Sequence, residues 1–176
     1  RMAVLIAICD DSPADRKQFE RLLSREKDAR LKNDEVIYFD TYGSEEALLP
    51  YCMKYDMFLI DISFCTRDGM MVAADLKNHG AEGLMVLCAS SVDYEAKYGP
   101  SDDVIYMKKP LYQRDFTVLT DRACSFSSHR TPRLELRGET DTLYVKPDEI
   151  IYAKSMTYYT LIALTGDRSF HIIGEI

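Results

Sequence analysis

Five short apolar runs recur along the first 107 residues, and each is followed by a segment with helical spacing of its apolar residues. The runs are AVLIAIC at 3–9, VIYFD at 36–40, DMFLIDI at 56–62, LMVLCA at 84–89 and DVIYM at 103–107. Continuous runs of this length with β-branched members suit strands buried on both faces of a sheet. The intervening segments predict helices over 14–29, 44–54 (interrupted by Pro50), 69–78 (stopping at Gly80), a short one near 92–98, and 112–125. Ser12-Pro13 reads as the cap and first turn of the first helix, and Asp15 favours the positive end of its dipole. Phe19, Leu22 and Leu23 give that helix one apolar face. Strands alternating with helices predict an α/β fold, a doubly wound five-stranded parallel sheet.

Ligands of such sheets sit outside the carboxyl ends of the strands, near the point where strand order reverses. Asp10 and Asp11 end the first strand, Asp61 lies near the end of the third, Ser90 follows the fourth and Lys109 the fifth. Carboxylates converging there repel one another unless a cation is bound, and a set of oxygen ligands favours magnesium or calcium. Magnesium suits phosphoryl chemistry, with Asp11 and Asp61 as direct ligands, Asp10 direct or through water, and the Ser63 backbone carbonyl filling another position. A carboxylate that attacks a phosphoryl donor forms an aspartyl phosphate. Lys109 is placed to pair with one phosphoryl oxygen and the Ser90 hydroxyl to donate to another.

Composition narrows the alternatives. At 176 residues the chain has room for one small α/β domain and part of a second. Its net charge of −7 excludes a general basic surface for nucleic acid. Beyond residue 128 six Lys or Arg face seven Asp or Glu, so that portion is not basic either. Cys9, Cys52, Cys65, Cys88 and Cys124 form no CxxC pair and read as reduced thiols, with Cys9 and Cys88 as small buried hydrophobes. The opening residues do not resemble a signal peptide, and no run of about 18 apolar residues occurs. A cytoplasmic protein with no membrane partner is expected.

CDDS at 9–12, LIDI at 59–62, DG at 68–69 and KKP at 108–110 together resemble the receiver domain of bacterial two-component response regulators. Their order and spacing on alternating strand and helix units make the set specific, and the match covers residues 3 to about 125. The resemblance implies a flavodoxin-like receiver that is a phosphoacceptor signalling protein rather than an enzyme. Asp61 is then the acceptor, a sensor histidine kinase the donor, and magnesium the cofactor. It also implies a switch in which Ser90 and the strand-five aromatic Tyr106 move together, with homodimer formation on phosphorylation. The sequence departs from the family pattern at Cys65 and at Thr66-Arg67. Ser91 competes with Ser90 for the switch role, and counting back from Asp93 and Ala96 favours Ser90. Lys109 precedes Pro110 and so takes the family lysine position, leaving Lys108 as its solvent-facing neighbour. Ser63 and Val92 flank the expected path of hydrolytic water.

FSSHRTP at 126–132 reads as a linker, and residues 133–176 as short antiparallel strands with turn signals at Gly138, Pro147-Asp148 and Thr165-Gly166-Asp167. DEIIYAKSMTYYTLIALTGDRSFHIIGEI, at 148–176, resembles the early strands of LytTR-type DNA-binding modules of the LytR and AgrA kinds. The remaining length is about half of such a module, so an incomplete second domain is expected. That resemblance implies transcription control and DNA as a partner, but carries no DNA-contact residue onto this chain. Arg133, Arg137 and Lys154 are phosphate-contact possibilities, against the commoner reading of solvated strand faces.

Each feature has a plainer reading. Asp10-Asp11 before Ser-Pro could serve only as helix capping, and Tyr106 only as a packing aromatic. Met70 and Met71 read as core, and His79, His129 and His171 as lacking the spacing for a site. A phosphorylation-gated protein-interaction module without DNA binding is the alternative function. A phosphatase or flavin carrier lacks a second general acid or a Gly-rich phosphate loop.

Overall fold

The computed structural model describes residues 2–62 and 67–173, and it divides into two compact units that meet at Arg130 and Thr131. In the first unit, strands β1 (Met2–Asp10), β2 (Glu35–Tyr42), β3 (Met57–Asp61), β4 (Leu84–Ala89) and β5 (Val104–Lys108) form one parallel sheet in the order β2-β1-β3-β4-β5. Every residue of β3 is buried, as its unbroken apolar run requires.

Helices cover both faces. Phe19, Leu22 and Leu23 of α1 (Pro13–Leu31) and Phe116, Leu119 and Ala123 of α5 (Gln113–His129) pack with Ile6, Ile8 and Leu59 on one side. On the other, Leu48 of α2 (Glu45–Leu48), Val72 and Leu76 of α3 (Gly69–Asn78) and Tyr94 of α4 (Tyr94–Tyr98) pack with Phe58, Ile60 and Leu87. Alternate residues of one strand thus serve two separate cores. This is the doubly wound α/β architecture that the sequence pattern predicts.

Three local differences have physical causes. The segment predicted as one helix over 44–54 is a single α-turn followed by a 3-10 stretch, Leu49–Lys54, because Pro50 removes a donor. The expected linker at 126–132 is helical as far as His129. Ser128 Oγ donates to the Ser125 carbonyl in the last turn, and Ser127 Oγ ties the helix to β1 through the Ala3 carbonyl, so these serines are accommodated in the helix rather than breaking it. Met71, expected in the core, is 43% exposed, whereas Met70 packs against the core.

The second unit is all β. β6 (Leu134–Arg137) pairs antiparallel with β7 (Thr142–Val145), and β8 (Ile150–Ser155), β9 (Thr160–Leu164) and β10 (Arg168–Ile172) form a three-stranded antiparallel sheet. Leu136, Val145, Ile162 and Leu164 make its core. β8 lacks the alternating burial expected of EIIYAKS: a register shift between Ile150 and Tyr152 and its edge position leave Ile151 and Tyr152 exposed.

At the end of α5, Arg130 holds the base of the sheet. Its guanidinium donates to the Tyr55 and Met53 carbonyls and pairs with Asp56 at 3.2 Å, while Asp56 Oδ2 accepts from Leu5 N at 2.9 Å. Arg130→Ala leaves the buried Asp56 carboxylate without its cation. The expected loss is about 3 kcal/mol of unfolding free energy, read as a lower urea midpoint for the first unit at unchanged slope; a loss under about 0.5 kcal/mol would contradict this role.

Candidate phosphoacceptor and cation site

The parallel register of β1 and β3 sets Asp10 directly opposite Asp61, and both are buried. Asp10 Oδ1 accepts from Ser12 N at 2.8 Å, and Arg16 Nη1 donates to the Asp10 carbonyl at 2.6 Å. The first turn of α1 is thereby fixed over the carboxyl end of β1. Asp10 Oδ2 is buried with no hydrogen-bond partner among the described residues. A carboxylate oxygen left so is costly unless a cation meets it.

Lys109 supplies positive charge. Its backbone N–H donates to the Ala89 carbonyl at 2.9 Å, which fixes the turn beyond β5 beside β4. Its ammonium contacts the Asp61 carboxylate and lies 2.6 Å from Asp15 Oδ2, over the edge of a cluster that includes the Phe19 ring. Lys108 is directed elsewhere, 3.8 Å from Asp93.

Carboxylate oxygens of Asp10, Asp15 and Asp61 all lie within 4.8 Å of one another, so these three residues could hold a metal ion. This differs from the set expected from the sequence. Asp11 is exposed and stands outside the cluster, because the backbone that turns Asp10 inward turns its neighbour outward. Ser63, whose carbonyl was the fourth expected ligand, lies outside the described residues, as does Cys65. Asp15 joins the cluster instead. The sequence offered it only as a dipole-favouring residue, yet its place in the first turn of the helix that follows β1 puts it at the same crevice as the strand ends.

Ser90 is exposed and lines a cleft of about 330 Å³ together with Asp15, Phe19 and Lys109. Tyr106 is half-buried; its hydroxyl donates to the Gly99 carbonyl at 3.0 Å, and its ring stacks on Tyr94. Tyr94 in turn stacks on Tyr98 and accepts from Gly69 N at 2.8 Å. A Cβ at Gly69 would lie 2.9 Å from that hydroxyl, which explains the glycine. Asp68, the N-cap of α3, accepts from Met70 N, Met71 N, the Lys97 ammonium and the Tyr98 hydroxyl. Tyr94 and Tyr98 carry no motif of their own in the sequence. Only the periodicity of a five-residue helix could have marked them.

Burial pushes the Asp10 carboxyl up to about 6; the Ser12 N–H and Lys109 oppose the shift, and Asp15 and Asp11 add to it. Burial likewise pushes the Cys9 thiol up to about 12, with Glu45 and Asp10 adding to it, so Cys9 packs as a neutral group. Cys52, Cys88 and Cys124 are also buried thiols.

No protein-family model and no curated protein matches the sequence. Solved structures do match. A response regulator receiver protein from Sinorhizobium medicae superposes with a TM-score of 0.55 at 20% identity, over 70% of this chain and 95% of that one. A CheY-like receiver domain protein from Methanospirillum hungatei gives 0.55 at 21% identity, over 72% and 98%. A CheY-type chemotaxis protein from Vibrio cholerae gives 0.54 at 13% identity, over 70% and 99%. The first unit has the receiver fold. At these identities the likeness is one of fold. No helix among the described residues is long and apolar enough to cross a membrane.

The raised Asp10 carboxyl has a stability consequence with a definite sign. Its native value, about 6, lies above the ordinary 3.8, so the unfolded chain ionises first as pH rises. Stability from this group is fully present below about pH 4 and is lost on going to pH 6 and above. With chelator present, Asp10→Asn is therefore expected to stabilise the protein at pH 7 by roughly 2–3 kcal/mol, and to give no gain below pH 4. Paired urea titrations across pH 4–7.5 check this; a variant no more stable than wild type at pH 7 would refute it.

Proposed function

We propose that the chain is a phosphorylation-dependent response regulator of a two-component system, with Asp61 as the phosphoacceptor. The observation that carries this reading is the Asp10–Asp61 pair at the ends of adjacent parallel strands, with the Lys109 ammonium against Asp61, on a receiver fold. The phosphodonor is a sensor histidine kinase. An Asp61 carboxylate oxygen attacks phosphorus and forms the new P–O bond. The P–N bond of the phosphohistidine breaks, and its electron pair stays on the imidazole nitrogen, which takes a proton.

Lys109 is the cation that follows the charge from the carboxylate to the phosphoryl oxygens, and the Ser90 hydroxyl is a second donor at the cleft. Asp10 and Asp61 fit a magnesium site: the orphan Asp10 oxygen and the excess of buried carboxylate over cation both favour a hard divalent ion. Bound magnesium would offset negative charge on the incoming phosphoryl group. From the resemblance to receiver domains, Asp11, which is exposed in this structure and would have to turn inward, and the Ser63 carbonyl complete the proposed ligand set. Ser90 and Tyr106 form the switch pair, through which phosphorylation shifts a two-state receiver towards a homodimer.

For output, residues 133–176 form the LytTR-like module and the proposed role is transcription control in the cytoplasm. A second reading, a phosphorylation-gated protein-interaction module, draws on the charge of that unit. Arg133 lies 4.0 Å and Arg168 3.2 Å from Glu149, and Arg137 pairs with Glu135. Three of the unit's five Lys and Arg residues therefore face acids, which weakens any positive field a phosphate backbone would need. A mobility shift with promoter DNA at two salt concentrations separates the readings: salt-sensitive binding supports DNA output, and its absence supports the protein partner.

With radiolabelled acetyl phosphate and magnesium, wild type is expected to take up one phosphoryl group per chain as an alkali- and hydroxylamine-labile adduct. Asp61→Asn takes up none, and Lys109→Ala slows uptake at least about tenfold, the usual scale for one charge-stabilising donor. Equal labelling of wild type and Asp61→Asn would end the phosphoacceptor reading.

A further inference from the structure

The three-carboxylate cluster is shared among more groups than phosphoacceptor chemistry requires. Asp15 is the surplus member. Its Oδ2 lies 2.6 Å from Lys109 Nζ, so the ammonium that contacts Asp61 is bridged between two acids. The Asp15 side chain is 48% exposed and lines the mouth of the 330 Å³ cleft, whereas those of Asp61 and Lys109 are 10% and 16% exposed. The backbone behind it is held: Asp15 N donates to Ser12 Oγ at 3.4 Å, and Ser12 N donates to Asp10 Oδ1. Asp15 is therefore a fixed negative charge at the entrance, attached to the cation that must receive the phosphoryl oxygens. The unpartnered and fully buried Asp10 Oδ2 points the same way, since the cluster has more acceptors than donors.

We infer that Asp15 is a positioning residue that competes with the phosphoryl group for Lys109, and so sets how tightly the site takes an anionic phosphoryl ligand. This rests on the proposed phosphoacceptor role of Asp61. When a phosphoryl group occupies Asp61, Lys109 can serve it fully only by leaving Asp15. The competition acts on the affinity of the site for a phosphoryl ligand and leaves the attacking oxygen untouched.

The test uses the full chain with saturating magnesium, and the phosphoryl mimic beryllofluoride as titrant in a calorimeter. Asp15→Asn is expected to bind it about three- to tenfold more tightly than wild type, the range for a partly exposed charge close to its partner. Asp15→Glu, which keeps the charge, stays within about twofold of wild type. In a Lys109→Ala background the Asp15→Asn effect shrinks to under about twofold, because no cation remains to be competed for. With acetyl phosphate as donor, Asp15→Asn lowers the half-saturating concentration by a similar factor. Unchanged beryllofluoride affinity in Asp15→Asn, or an equal gain with and without Lys109, would overturn the inference while wild type still labels at Asp61. If wild type binds no beryllofluoride, or Asp61→Asn binds it as wild type does, the phosphoacceptor reading fails and the inference falls with it.

Discussion

Two carboxylates on neighbouring buried strands impose the strongest demand in the molecule. Parallel pairing of β1 with β3 brings Asp10 opposite Asp61, and the sheet gives neither side chain much room to retreat into solvent. Local polar groups answer part of that charge: the Ser12 N–H on Asp10 and the Lys109 ammonium on Asp61. The answer is incomplete, as the orphan oxygen and raised carboxyl of Asp10 record. An apolar pair at these positions would fold more easily. Retaining two acids sacrifices stability for a site that can hold a cation.

The strands were legible in the sequence because a strand buried on both faces must be apolar throughout, and the helices between them because one face must be. Asp10, Asp61 and Lys109 were legible for a related reason: a charged residue that ends such a run has to lie at the sheet's edge of polarity. What alternation cannot convey is which way a loop residue turns. Asp10 and Asp11 are adjacent and chemically alike, yet one is buried and the other exposed. Their difference is set by the hydrogen bonds that start α1. Asp15 was likewise hidden, since an acid in a first helical turn has a sufficient local explanation in the dipole. Its contact with Lys109 spans 94 residues, and no local pattern encodes that.

The β-rich unit shows the same limit differently. Its strands follow from period-two alternation and turn residues, but β8 breaks the alternation by a register shift, so side chains of the same strand change their relation to the core part-way along. The sequence could place EIIYAKS in a sheet. Only the pairing with β9 shows that its apolar residues Ile151 and Tyr152 remain exposed.

Within the first unit, the aromatic stack ties β5 to α4 and to the start of α3. For the Tyr106 ring to turn inward, its hydroxyl must release the Gly99 carbonyl and its face must leave Tyr94. Tyr94 is not free to follow, because its hydroxyl holds Gly69 N in the first turn of α3 and its ring also stacks on Tyr98. Tyr98 and Lys97 are both bound to Asp68, a buried carboxylate whose own value is lowered, against the effect of burial, by these same donors. A displacement at β5 therefore disturbs α4 and the cap of α3 as one unit rather than as independent side chains. Such coupling favours two discrete arrangements over a graded response, since partial movement breaks several hydrogen bonds without completing a new set.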